Sequence, residues 1–112
     1  MGTPSLSFGT VAVLHAVAAG HRFGFDIVDA TGLTAGSVYP ALDRLEELGL
    51  LRSSWESTAA ATAGKRPARR YFALTGDGAR ALAEVLRKHR TFHPVSLEAF
   101  GLDGLHPQRR KA

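Results

Sequence analysis

The chain has 112 residues, enough for one domain with a modest core. Hydrophobic residues make up 45%, which predicts a folded chain, and the absence of cysteine excludes disulfides, thiolate metal sites and cysteine nucleophile chemistry. Fourteen Lys and Arg against ten Asp and Glu leave a formal charge of +4, a balance that favours polyanionic partners, nucleic acid before an anionic membrane.

Residues 7–19 read as a first helix, with Val11, Leu14 and Ala18 at helical spacing and Val13 and Val17 beside them. It is apolar round most of its circumference, so burial is expected; Ser7 can cap it and Gly20 can end it. No basic region precedes this stretch, and residues 8–19 are too few to span a bilayer, which predicts a soluble, cytoplasmic protein without a membrane partner. After a turn at His21-Arg22-Phe23-Gly24, a short helix is expected over about 25–31, with Phe25, Ile27 and Val28 on its apolar side.

Gly32 suits a left-handed turn, and Thr34 is a good N-cap for a helix over 35–48. Val38, Leu42 and Leu45 make its inward stripe; Gly49 and Leu50 fit a Schellman ending. Residues 51–56 and 69–74 read as strands, separated by the Ser, Thr, Ala, Gly and Pro-rich loop 57–68 with Lys65 and Arg66 near its end. Trp55 and Phe72 are read as wing and core packing. Thr75 caps a last helix whose apolar stripe is Ala79, Leu82, Ala83 and Leu86, with Val85 beside it. Residues 93–112 carry Gly101, Gly104, Pro107 and the basic Arg109-Arg110-Lys111, and only partial order is expected there.

Two helices, a strand, a basic loop and a strand are the order of a winged helix-turn-helix. The expected fold is mostly α with a small β-hairpin. The DNA-binding unit is expected over 5–74, a C-terminal dimerisation helix over 75–92, and a partly ordered tail over 93–112.

Five stretches, in order, resemble the PadR family of bacterial regulators. They are Phe23-Gly24-Phe25-Asp26-Ile27; Gly36-Ser37-Val38-Tyr39-Pro40-Ala41-Leu42 with Leu45-Glu46-Glu47-Leu48-Gly49-Leu50-Leu51; Ser54-Trp55-Glu56; Arg66-Pro67-Ala68-Arg69-Arg70-Tyr71-Phe72; and Leu74-Thr75-Gly76-Asp77-Gly78. Phe25 stands where the family usually has Tyr, and the single C-terminal helix resembles the short branch. The resemblance implies a repressor that binds a palindromic double-stranded operator as a homodimer. It also implies that the helix over 35–48 enters the major groove, that the last helix and the first build the dimer, and that a small-molecule effector can sit at the dimer interface.

On that reading the DNA-contacting residues are Thr34, Gly36, Ser37, Tyr39, Pro40 and Arg44 on the recognition helix, with Lys65, Arg66 and Arg69 on the wing. Strand alternation turns Arg70 away from Arg69. Pro40 lacks an N–H and leaves the Gly36 carbonyl without its usual donor. Leu14, Ala79, Leu82, Val85 and Leu86 are assigned to dimerisation. The competing reading is a winged helix that binds another protein and has no specific DNA affinity.

Nothing points to an enzyme. There is no Gly-rich phosphate loop, nucleophile elbow or paired-carboxylate arrangement, and no cofactor is implied. His89 and His93 have the i, i+4 spacing of a metal pair, but Pro94 follows and no carboxylate stands at a matching position, so no metal site is assigned.

Overall fold

A computed structural model describes residues 6–92, with side chains as far as Lys88. The expectations for the tail, for His93 and for the His89 side chain lie outside the described residues. In chain order the elements are α1 (Phe8–Ala18), α2 (Gly24–Thr31), α3 (Ala35–Glu47), β1 (Leu51–Trp55), α4 (Thr58–Ala63), β2 (Arg70–Leu74) and α5 (Gly76–Phe92).

The helix ends follow from local chemistry. Ser7 caps α1 by accepting from the Thr10 N–H at 3.2 Å, and Thr34 caps α3 by accepting from the Ser37 N–H at 3.2 Å. Gly32, at φ 75°, closes α2 in the left-handed region. At the end of α3, Gly49 takes φ 78°, Leu50 N–H donates to the Leu45 carbonyl at 2.9 Å and Gly49 N–H to Glu46 at 3.0 Å. That is the paired bonding of a Schellman turn, completed by burial of both Leu45 and Leu50.

The stretch 57–68, expected to be loop, contains α4. Ser57 accepts from the Ala60 N–H at 3.0 Å, and Thr58-Ala59-Ala60-Ala61 then supplies the strongest helix former three times over. A good cap on an alanine run outweighs the turn-like composition around it.

The strands pair antiparallel, with Leu51 opposite Leu74, Ser53 opposite Phe72 and Trp55 opposite Arg70. The segment expected to be a plain turn after α1 joins them: Phe23 bridges Tyr71, and Phe72 N–H donates to the Arg22 carbonyl at 2.7 Å. Residues 22–23 thus lie along the free edge of β2 and pair with it.

The core gathers Leu14 and Val17 from α1, Ile27 from α2, Val38, Leu42 and Leu45 from α3, and Leu51 and Phe72 from the hairpin. α5 returns to this core through Ala81 and Leu82, with Leu86 half-buried behind them. Its start fits closely: a Cβ at Gly78 would lie 2.0 Å from the Leu50 carbonyl oxygen. Thr75 caps α5 by accepting from the Gly78 N–H at 2.9 Å and donates its hydroxyl to the Gly49 carbonyl at 2.7 Å, tying α5 to the end of α3.

Two of the five dimerisation assignments are corrected by this packing. Leu14 is fully buried in its own protomer and Leu82 nearly so, so neither has surface to offer a partner. Because α1 is apolar all round, periodicity did not tell its two sides apart. Its outward side carries Phe8, Ala12 and His15, at i, i+4 and i+7, and α5 presents Ala79, Ala83 and Leu86 at the same spacing. Among the described residues no helix is long and apolar enough to cross a membrane.

Candidate nucleic-acid interface

The exposed side of α3 begins at its cap. Thr34, Ala35, Gly36 and Ser37 are all exposed. The Thr34 hydroxyl donates to Ser37 Oγ at 3.2 Å, so the two side chains hold each other at the helix start. A Cβ at Gly36 would meet only Thr34 Oγ1, at 3.8 Å, so the fold does not itself demand glycine there. Pro40 and Arg44 continue the exposed side, and Arg44 makes no ion pair among the described residues.

Tyr39 is held differently. Its ring lies over the first residue of α2, where a Cβ on Gly24 would fall 2.1 Å from the hydroxyl oxygen. Gly24 therefore makes the space for Tyr39, a role that sequence reading missed although the residue was quoted. Phe25, expected on the buried side of α2, is 75% exposed beside it.

The wing's basic residues are placed by their partners. Arg66 donates from both Nη atoms to Glu56, at 2.5 and 2.8 Å, and Glu56 also accepts from the Arg69 backbone N–H at 3.1 Å. The Arg66 guanidinium bonded to it, helped by the Arg69 N–H and against the opposing effect of burial, lowers the Glu56 carboxyl to about 2. The Arg69 guanidinium lies over the Phe23 ring, 4.0 Å from its centroid. Arg70, on the opposite side of the strand as alternation predicts, binds Glu46 of α3 at 2.5 Å and the Ser53 hydroxyl at 3.1 Å, while Ser53 donates to Glu46 at 2.7 Å. This closed triangle fixes the hairpin against α3.

Lys65 differs from its neighbours. It follows α4 at φ 56°, the one described non-glycine residue in the left-handed region, and is exposed without an ion pair among the described residues. Between α2, α3 and the wing lies a cleft of about 520 Å³, bordered by Phe25, Tyr39, Asp43, Trp55 and Arg69. Trp55, expected to pack inside the wing, is 68% exposed at its rim, whereas Phe72 is core as expected.

Residues 13–84 match the transcriptional regulator PadR-like family. The chain belongs to that family. A PadR family transcription regulator from hypervirulent Clostridium difficile is structurally similar, with a TM-score of 0.69 and 20% identity over 82% of this chain and 97% of the other. Another, from Eggerthella lenta, reaches 0.56 with 29% identity over 71% of each chain. Lactococcus lactis ZitR, whose structure was solved in complex with DNA, gives 0.58 with 19% identity over 89% of this chain and 61% of the other, a likeness of fold. No curated relative matches the chain.

As a PadR-like regulator the protein has the winged-helix fold that the sequence led one to expect, and its relatives are regulators of transcription rather than enzymes. α3 and the wing sit next to one another, joined through Arg70. Of the nine residues expected at DNA, Gly36, Ser37, Tyr39, Pro40 and Arg44 share the exposed side of α3 with the Thr34 cap, and Lys65 and Arg69 stand on the wing. Arg66 is committed to Glu56 and so is not a free cation. Glu46, Ser53 and Arg70 went unassigned, and the only signal for their link was opposite charge on two elements that a winged fold must pack together.

Proposed function

We propose that the protein is a repressor that binds a palindromic operator as a homodimer, with α3 in the major groove and the wing beside it. The observation that carries this is an exposed α3 start on the same helix that Arg70, Glu46 and Ser53 tie to the basic wing. Residues at the start of a recognition helix reach the base edges, and wing cations meet phosphates. Ser37 and Arg44 read sequence on this account, and Lys65 and Arg69 supply attraction. Two-fold symmetry would set the two α3 helices about 34 Å apart, one DNA turn. The cytoplasm, where chromosomal DNA lies, is the corresponding location.

Gel shift on the promoter region upstream of the protein's own coding sequence tests this. Binding is expected to weaken with salt by about 0.9 log units per log salt for every phosphate neutralised. Ser37→Ala should change the preferred sequence, while Lys65→Ala should weaken all duplexes alike. A duplex bound no better than heparin would favour the protein-binding reading.

A further inference from the structure

Residues 22–23 do more than seal the free edge of β2. Their pairing with it brings their side chains to the side of the strand that carries Arg69 and Tyr71, opposite the side that carries Arg70 and Phe72. The Phe23 and Tyr71 rings meet edge to face, with centroids 5.9 Å apart. A guanidinium lies over each ring: Arg69 over Phe23, 4.0 Å from the centroid, and Arg22 over Tyr71, 5.3 Å from it. The four side chains form one row, Arg69, Phe23, Tyr71, Arg22, with a cation at each end.

The carboxylates beside this row are spent elsewhere. Glu56 accepts from the Tyr71 hydroxyl at 3.4 Å but is held by Arg66, and Asp26, four residues after Arg22, pairs with His21 at 3.0 Å. Arg70 faces the other way, onto Glu46 and Asp43. Arg22 is exposed, and neither it nor Arg69 makes an ion pair among the described residues. A guanidinium laid on a ring is pre-organised and keeps its N–H edge free, and that edge matches the oxygens of a phosphate. Two such edges at the ends of one row suit an anion that repeats, as a phosphodiester backbone does. Phe23 and Arg69 line the same cleft as Tyr39 of α3, so the row begins next to the exposed side of that helix.

We propose that Arg22 is a further DNA contact, which with Arg69 clamps the phosphate backbone flanking the groove that α3 enters. The edge segment before α2 is then a third contact element, beside α3 and the wing. Arg22 is outside the nine residues assigned to DNA from the sequence, where it stood only in a turn. The inference rests on the proposed DNA-binding reading and adds to it a residue whose only recognisable work in the fold is to lie on Tyr71.

Anisotropy titrations of the promoter duplex and of a random duplex, each at several salt concentrations, test it. The backbone of Arg22 makes the edge pairing, so Arg22→Gln leaves that pairing intact, and melting by circular dichroism checks that each variant is folded. Arg22→Gln is expected to weaken both duplexes about tenfold, the scale of one charged hydrogen bond, and to flatten the salt slope by about 0.9 per protomer in contact. Arg22→Lys keeps the charge and should keep the slope. Arg80→Gln removes the same charge from an exposed position on α5 and should leave affinity and slope as in wild type. An unchanged slope in Arg22→Gln, with wild type binding duplex as expected, overturns the clamp and leaves the DNA reading standing. So does equal flattening by Arg80→Gln, which reduces the effect to net charge, or by Arg22→Lys, which reduces it to packing on Tyr71. A loss confined to the promoter duplex also overturns it, because a phosphate contact does not discriminate sequence. Wild type that binds duplex no better than heparin sinks the DNA reading and the clamp with it.

Discussion

Lys65 and Glu56 show how single residues set the wing. Left-handed backbone costs a residue with a Cβ about 1–2 kcal/mol, and Lys65 bears that at the exposed turn after α4. Lys65→Gly removes that strain but enlarges the unfolded chain's freedom, so its unfolding free energy is expected to stay within about 1 kcal/mol of wild type. Its DNA binding should fall and its salt slope should flatten by about 0.9 per protomer in contact. Urea unfolding and anisotropy titrations at several salt concentrations separate the two effects; an unchanged slope would mean that Lys65 meets no phosphate. Glu56 gives a pH signature. Its carboxyl titrates at about 2 when folded against 4.5 ordinarily, so the folded state favours the ionised form. The stabilisation is complete above pH 4.5 and is lost as pH falls from there towards 2. Glu56→Gln should melt lower than wild type at neutral pH and lose less stability on acidification across that window. Parallel melting curves for the two proteins from pH 5 down would show that the Arg66 pair does not organise the wing.

At the scale of elements, the approach of α5 to the end of α3 depends on the missing side chain at Gly78. A methyl group there would lie 2.0 Å from the Leu50 carbonyl oxygen and 2.9 Å from Leu74 Cδ1, and backbone cannot swing aside. Gly78→Ala is therefore expected to destabilise by about 1–3 kcal/mol in urea unfolding, against the mild stabilisation that alanine brings to an unconstrained helix. A more stable variant would show that α5 docks elsewhere. Gly78 was visible in the sequence only as part of a family-like stretch, because close approach between distant elements leaves no local pattern. Caps behaved otherwise: Ser7, Thr34, Thr75, Gly32 and Gly49 each act within a few residues, and each was read correctly. α4 was missed because turn-forming composition hid a capped alanine run. The edge pairing of residues 22–23 was missed because two residues carry no alternation to read. In the site, the exposed and inward sides of α3 were legible from spacing, whereas the pairing of Arg66 with Glu56 and Arg70 with Glu46 required knowing which elements meet.

At the scale of the whole molecule, one copy presents one α3, and the proposed recognition of a palindrome requires two. The surfaces available for pairing are the outward side of α1, with Phe8 50% exposed, and the Ala79, Ala83 and Leu86 line of α5. Two exposed alanines on that line permit close helix approach, and half-buried Leu86 and Val85 would complete their burial against a partner. The variant that tests this must leave the protomer's core alone. Ala83 is exposed, so Ala83→Arg adds charge to the outer side of α5 without displacing buried atoms. Sedimentation should show wild type as a dimer and the variant as a monomer, with melting by circular dichroism confirming that the variant is folded. Losing the second, linked contact should lower affinity for a palindrome by on the order of a hundredfold or more, and affinity for an isolated half-site far less. A variant that remains dimeric would move the interface to another surface. A monomer that binds the palindrome as tightly as wild type would show that each α3 helix reads its half-site alone.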